Sequence, residues 1–325
     1  MPPHLTLPLL LTLSPTAAWW VGMNWLTPVG VIVVLPILEW LIGRSPPAKS
    51  ERATDVHHWG VFFPRLLAVL VLLQWALMCT TVSRLDWVQT LWLSLSIGLV
   101  AGSVGLVLAH ELGHRRNRTD TRLAQCLLVL LAFGHYRVAH QQGHHRLAGT
   151  AEDPATARRE ENLFQFMARY LPGLLRMGAS QAGPKSGRAS AVWLQLAGTA
   201  ALWSLAGMVG GHKALVICVI QACTAQYLIA TVDYMQHWGL ERAKHDGRRE
   251  RLHPGHVWDC NNRVSCWLLM NLPRHTSHHL RPWQTADELV HTPESPQLPT
   301  GYAGMVIPAS MPWLYRKVMT PRLPK

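Results

Sequence analysis

Charge is what this sequence has little of. Only 15% of its 325 residues are Asp, Glu, Lys or Arg, against about 25% in an ordinary soluble domain, while hydrophobic residues make up 49%. That balance excludes a disordered chain and argues against a typical soluble enzyme. Phenylalanine is scarce too, at 5 residues against 15 tryptophans. Closely paired cysteines are missing. None of Cys79, Cys126, Cys218, Cys223, Cys260 and Cys266 forms a C-x-x-C pair, and four of the six lie in apolar stretches. Neither a disulfide framework nor a cysteine zinc site is expected, and no cysteine tetrad offers an iron–sulfur or single-iron electron carrier. Mean hydropathy is only +0.10, too low for a chain of membrane helices alone. A membrane portion joined to a substantial polar one satisfies both figures.

Six stretches are long and apolar enough to cross a bilayer, which takes about 20 residues: 5–23, 26–42, 66–82, 88–109, 192–209 and 214–232. The first two are separated by little more than Asn24, Thr27 and Pro28, and the first lacks the basic flank and cleavage site of a signal peptide. A further apolar run, 123–133, is too short to span and is expected to be a buried or interfacial helix. Six crossings put both termini on one side. The short loops on the other side, near Asn24, at 83–87 and at 210–213, hold only Arg84 and Lys213 of the 30 basic residues; the other 28 lie with the termini. The positive-inside rule makes that side cytoplasmic, and the expected location is a bacterial inner membrane. The net charge of +12 is then topogenic, spread over long loops without a nucleic-acid motif, and nucleic-acid binding is not expected. The expected architecture is an all-α integral membrane protein, a single domain over 1–325. It has about six transmembrane helices, a linker at 43–65, and histidine-rich cytoplasmic segments at 110–190 and 233–325, the former with a flexible stretch at 178–190.

Histidine is what the sequence has in excess, with 18 residues, and clustered histidine reads first as metal binding. Four clusters stand out: His110 with His114; His140 with His144 and His145; His237; and His275 with His278 and His279. A spacing of four puts two imidazoles on one helix face, a turn apart. All four clusters fall on the cytoplasmic side, two of them at span ends, and that shared depth lets residues far apart in sequence converge. Nine imidazoles exceed what one ion takes and suit two, although imidazole alone does not choose among Fe, Zn, Cu and Ni. Isolated histidines such as His4, His57, His58, His212, His245, His253 and His291 are expected to be ordinary polar side chains, with His135 and His256 as candidates for orienting ligands. The segment His110-Glu111-Leu112-Gly113-His114 also matches H-E-x-x-H, the zinc-protease motif in which the glutamate is a general base. Such a site needs one further ligand, and the chain offers seven more clustered histidines. A non-catalytic metal-binding or transport protein is the remaining alternative.

The boxes HELGHR, AHQQGHH, DYMQHWG and LPRHTSHHL, in that order on a membrane scaffold, resemble the integral-membrane di-iron hydroxylases and desaturases. Within them the closest likeness is to the alkane hydroxylases, whose boxes read HELGHK, EHxxGHH, NYxEHYG and LQRHSDHHA. The likeness extends to Leu35-Pro36-Ile37-Leu38-Glu39, to Glu152-Asp153-Pro154-Ala155-Thr156-Ala157-Arg158 and to Pro299-Thr300-Gly301-Tyr302, and so covers nearly the whole chain. Desaturases share three boxes but not His237-Trp238-Gly239. Departures are Ala139 for Glu, Asp233 for Asn, Gln236 for Glu and Trp238 for Tyr; all lie beside histidines and leave an alkyl-aromatic methyl hydroxylase of the xylene monooxygenase type open. The resemblance implies two non-haem irons held by the nine histidines. It also implies O2, two electrons from a rubredoxin or ferredoxin-type donor with its reductase, and a terminal alcohol made from an apolar alkyl substrate that partitions into membrane lipid. With no cysteine tetrad here, the donor is expected to be a separate protein, drawn electrostatically to the basic face. Glu111, Asp153 and Asp233 are expected to accept hydrogen bonds from ligand imidazoles and orient them. Val107, Leu106, Ser103 and Gly102 stand three, four, seven and eight positions before His110, on its helix face. The side chains become small going up the span, and Gly102 and Ser103 either allow close helix packing or leave room for an alkyl chain; Gly102, Ser103 and Leu106 are the candidate channel residues.

Overall fold

The computed structural model describes residues 2–46, 60–180, 188–245 and 248–324. They form a helical bundle: α1 (Pro3–Trp20), α2 (Leu26–Ile42), α3 (Phe62–Arg84), α4 (Trp87–His114), α5 (Arg118–Leu130), α6 (136–147), α7 (Leu163–Ser180) and α8 (Arg188–His237). A polar C-terminal segment follows, with four short helices, α9 (Arg263–Leu268), α10 (His275–Leu280), α11 (Tyr302–Ser310) and α12 (Pro312–Met319). The one β ladder among the described residues pairs Lys244–His245 with Arg248–Arg249, antiparallel and two residues long; isolated bridges join Arg44 to Asn262 and Asp259 to Gln297.

Among the described residues three helices are long and apolar enough to cross a membrane: Phe62–Arg84, Trp87–His114 and Val192–His237, with mean hydropathies of 2.0, 2.1 and 1.9. The α8 element holds the expected spans 192–209 and 214–232 as two separate helical arms. It is interrupted at Gly211, whose φ of 69° and ψ of −163° belong to a region glycine enters freely. Both arms return to the same place. Thr199 and Trp203 of the first donate to the Val129 and Leu130 carbonyls, and Gln221 and Gln226 of the second to Leu130 and Leu131. Those four donors also satisfy the C-terminal carbonyls of α5, which a buried helix end otherwise leaves without partners. The run 123–133 is thus the inner part of α5, with Ala124, Leu127, Leu128 and Leu130 buried. The α1 and α2 segments fall outside that group of three, α2 because of its length. Pro15 inside α1 frees the Leu11 carbonyl, and the Ser14 hydroxyl takes it at 2.9 Å, as a helix in an apolar setting requires.

The short connections gather at one end of the bundle. Asn24 Nδ2 donates to the Gln89 carbonyl, Asp86 caps α4 through the Gln89 amide at 2.8 Å, and the Lys213 ammonium donates to the Leu85 carbonyl. The α4 helix is the axis: 78% of its apolar window is buried, against 44% for α3 and 50% for α8, so α3 and α8 keep an outward face for lipid. A π turn at Ala101–Gly105 interrupts α4 one turn before its histidines, and another spans Ala139–His144 in α6. At the opposite end the chain after α2 is stitched to the segment before α9: Ser45 N donates to Asn261 O and Arg263 N to Gly43 O. Most of the expected linker at 43–65, with His57 and His58, lies outside the described residues, as does the middle of 178–190. The start of that stretch, 178–180, is the last turn of α7 rather than a loop.

Candidate metal centre

The nine clustered histidines come from four elements, and helical spacing decides which rings meet. His110 and His114 close α4, the α6 turn carries His140, His144 and His145, His237 ends α8, and α10 carries His275, His278 and His279. They separate into two groups in which the ring nitrogens all lie within 4.8 Å of one another: His110, His114, His140, His145 and His278; and His144, His237, His275 and His279. The α6 and α10 helices each serve both groups.

In the first group, His110 Nε2 lies 2.9 Å from His140 Nε2 and 3.0 Å from His278 Nε2, and His145 Nε2 lies 3.0 Å from His140 Nε2 and 3.1 Å from His278 Nε2. In the second, His279 Nε2 is 3.0 Å from His275 Nε2 and 3.2 Å from His144 Nε2, and His275 Nε2 is 3.3 Å from His237 Nε2. Those spacings match the edges that a coordination polyhedron would have. With metal–nitrogen bonds of about 2.1 Å, neighbouring ligand atoms stand about 3.0 Å apart in an octahedron and about 3.4 Å in a tetrahedron. A ring of nitrogens each with several others at this distance is not a set of pairwise hydrogen bonds, because each neutral imidazole has a single N–H. Burial pushes His140, His145, His275, His278 and His279 well below the usual histidine range, helped by the neighbouring rings. They are therefore held as neutral imidazoles, the form that binds a cation.

The opposite ring nitrogens set the tautomers. His144 Nδ1 donates to Asp153 Oδ2 at 2.8 Å, leaving Nε2 to face His279. Burial alone would lower the His144 pKa, but the Asp153 carboxylate outweighs it and the net shift is upward. Asp153 is itself held by the Thr156 hydroxyl at 2.8 Å and the Ala155 amide at 3.1 Å. His114 is held by the Pro282 carbonyl, and His140 Nδ1 lies 3.4 Å from the Tyr136 hydroxyl, with the Tyr136 ring stacked on it.

The other two carboxylates sit differently from the sequence expectation. Glu111 lies one position past His110, about 100° around the helix, and its oxygens accept from Arg115 Nε at 3.0 Å and the Ala286 amide at 3.1 Å. It ties α4 to the C-terminal segment instead of orienting an imidazole. Asp233 accepts from the Tyr170 hydroxyl at 2.6 Å. A third group, Glu250, His253 and His256, has metal-like spacing but the wrong tautomers. His253 Nδ1 accepts from the Gly255 amide and His256 Nδ1 from the His253 amide, so each Nε2 carries the proton and points at Glu250. These are donors to a carboxylate in a capped turn.

Several residues of the site escaped the sequence reading. Tyr136 could have been found, four positions before His140 on one helix. Asp259 could not: fully buried, it accepts from the Thr276 amide at 3.2 Å at the start of α10 and from His291 Nδ1 at 2.9 Å, fixing the helix that carries three of the nine histidines. His135 is buried beside Gly178 and Phe133, away from both groups.

An apolar cavity of about 1030 Å³, its open mouth included, runs along α4 to His110 and Tyr136. Gly102, Ser103, Leu106 and Val107 all line it. Gly102 is also a packing residue: a Cβ there would stand 2.7 Å from Ala225 Cα of α8. Ser103 satisfies its hydroxyl on the Leu99 carbonyl at 2.6 Å, so it presents no free polar group to the cavity.

The sequence model of the fatty acid desaturase family matches residues 85–307. The chain is 34% identical over 307 residues to an alkane 1-monooxygenase of Pseudomonas putida and 33% identical over 307 residues to an alkane 1-monooxygenase of Ectopseudomonas oleovorans. Each alignment covers 89% of this chain and 75% of the relative. It is 24% identical over 241 residues to the xylene/toluene monooxygenase hydroxylase component of Pseudomonas putida, covering 70% of this chain and 63% of that one. The chain belongs to the fatty acid desaturase family, and its apolar helices make it an integral membrane protein.

Proposed function

We propose that this family member is a membrane non-haem di-iron monooxygenase that hydroxylates the terminal methyl of alkanes or similar apolar alkyl substrates. The observation that carries the reading is the convergence of nine histidines, as two polyhedra of imidazole nitrogens, at the inner end of an apolar cavity. Two irons bound there supply the O2 chemistry that an unactivated C–H bond requires, since such a bond offers no handle for acid–base catalysis. The protein's share is placement. His110, His114, His140, His145 and His278 hold one ion, and His144, His237, His275 and His279 the other. Asp153 fixes the His144 tautomer. Leu106, Val107 and the other apolar residues lining the cavity keep water from the reacting methyl and direct the chain end toward His110.

On this reading both termini and the histidines lie on the cytoplasmic side of a bacterial inner membrane, an orientation that the distribution of basic residues supports. Electrons reach the site where it comes closest to the surface: His114 and His145 are half-buried, Arg146 and Arg281 are exposed, and Trp283, beside the Pro282 carbonyl that holds His114, is 72% exposed. A basic rim around an aromatic residue suits an acidic one-electron carrier of the rubredoxin or ferredoxin type.

The test is metal and product analysis of membranes containing the protein with a rubredoxin and its reductase. About two irons per chain and terminal alcohols are expected. Zinc with peptide cleavage would replace this reading with the protease, alkenes with a desaturase, and benzylic alcohols from methylarenes in preference to alkanols with an alkyl-aromatic hydroxylase. Metal without turnover would leave a binding or transport protein.

A further inference from the structure

Glu39 is fully buried in α2, and its carboxylate holds two helix starts at once. One oxygen accepts from the Ser265 amide at 3.1 Å and from the Ser265 hydroxyl, in the first turn of α9; the other accepts from the Gly304 amide at 3.0 Å, in the first turn of α11. The first turn of a helix leaves amide N–H groups without partners, and a carboxylate is their strongest acceptor. The Ser265 hydroxyl in turn accepts from the Tyr302 amide at 2.8 Å, and the Tyr302 hydroxyl accepts from Gln236 Nε2 at 2.6 Å. Gln236 is the neighbour of His237. A Cβ on Gly301 would stand 1.7 Å from the Glu39 carboxylate, so only glycine lets the chain close over it. The sequence motifs around Glu39 and around Gly301 are two halves of one contact.

That contact carries a cavity wall. Val264, Ser265 and Leu268 of α9 and Tyr302, Ala303 and Val306 of α11 line the cavity that reaches His110. These two helices, of six and nine residues, are too short to hold their own shape and place by propensity. We propose that Glu39 is a positioning residue for substrate selection: its buried carboxyl group sets the α9–α11 wall of the alkyl-binding cavity and thereby which carbon of the chain faces the histidines. Glu39 touches neither substrate nor histidine and acts through Ser265, Tyr302 and the helices they start. The inference rests on the reading of the cavity as an alkyl site.

The test uses the full-length protein with Glu39→Gln and, as a milder change, Ser265→Ala, which keeps the carboxylate and removes one donor. Two measurements are made. In metal-free protein, binding of a homologous series of n-alkanes is followed by thermal shift. In the iron-loaded enzyme, the position of the hydroxyl in the product is determined together with KM and kcat. Iron content is expected to stay at the wild-type value. Alkane binding should weaken by about fourfold for each CH2 that loses contact with the displaced wall. KM should move more than kcat, and the share of sub-terminal alcohols should rise. An unchanged length profile and product position would overturn the proposal. So would failure of both variants to accumulate, which would make the clamp a folding element only. Wild-type protein that binds alkanes without oxidising them would sink the proposed reaction and leave the clamp testable by binding. Wild-type protein that binds no alkane would remove the basis for both.

Discussion

The two histidine groups are made of one residue type, share α6 and α10, and lie side by side, yet their surroundings differ. The group of His144, His237, His275 and His279 is buried throughout, and Asp153 holds one of its rings through a charge-assisted hydrogen bond. The group of His110, His114, His140, His145 and His278 has two half-buried members, borders the apolar cavity through His110, and has Tyr136 and a backbone carbonyl behind its rings instead of a carboxylate. A sealed position backed by an anion favours retention of a cation; an open position between cavity and surface favours access for substrate and electrons. On the proposed reading, one residue type thus gives one position suited to holding a metal and one suited to reacting.

The largest effect is expected from the ligands. His275→Ala should halve the iron content and abolish turnover, while the protein still inserts, because the apolar spans do not depend on the metal. His140→Ala should also abolish turnover, and full activity with two irons in either variant would break the division into two groups. Next comes the asymmetry in backing. Asp153→Asn should lower activity or metal affinity about 10–100-fold, the usual cost of losing a partner that orients a ligand, whereas Glu111→Gln should cost far less, since Glu111 faces Arg115 and Ala286. Equal losses by metal titration would erase the distinction. Charge reversal at Arg281 or Arg146 should slow donor association about tenfold at low ionic strength and less at high salt, visible in stopped-flow reduction with substrate affinity unchanged. The smallest effect belongs to the third, metal-like group: His253→Ala should leave iron content intact and cost about 1 kcal/mol of stability, the typical value of a helix cap, read by thermal denaturation.

The structure also changes which channel substitution is informative. Gly102→Trp would collide with the Ala225 backbone and unfold the packing whatever the cavity does. Leu106→Trp is the cleaner probe, because Leu106 lines the cavity.

Membrane residence, the helical class and the nine histidines were legible in the sequence because each rests on a local signal: apolar run length, the period of the helix and clustered imidazoles. The sequence also separated the two arms of α8, since Gly210, Gly211 and Lys213 interrupt the apolar run. Local signals do not say which ring joins which ion. His144 and His145 are adjacent yet belong to different groups, and so do His278 and His279, because successive residues on a helix point about 100° apart. Nor could the sequence distinguish Asp153, which reaches an imidazole, from Glu111, which does not, since both lie near histidines in sequence and only the packing of α4 against the C-terminal segment tells them apart. The roles of Glu39 and Asp259 likewise belong to the tertiary structure. Each is a buried acid whose partners are amides of helices more than 15 positions away, and a backbone N–H is the one donor that residue identity does not reveal.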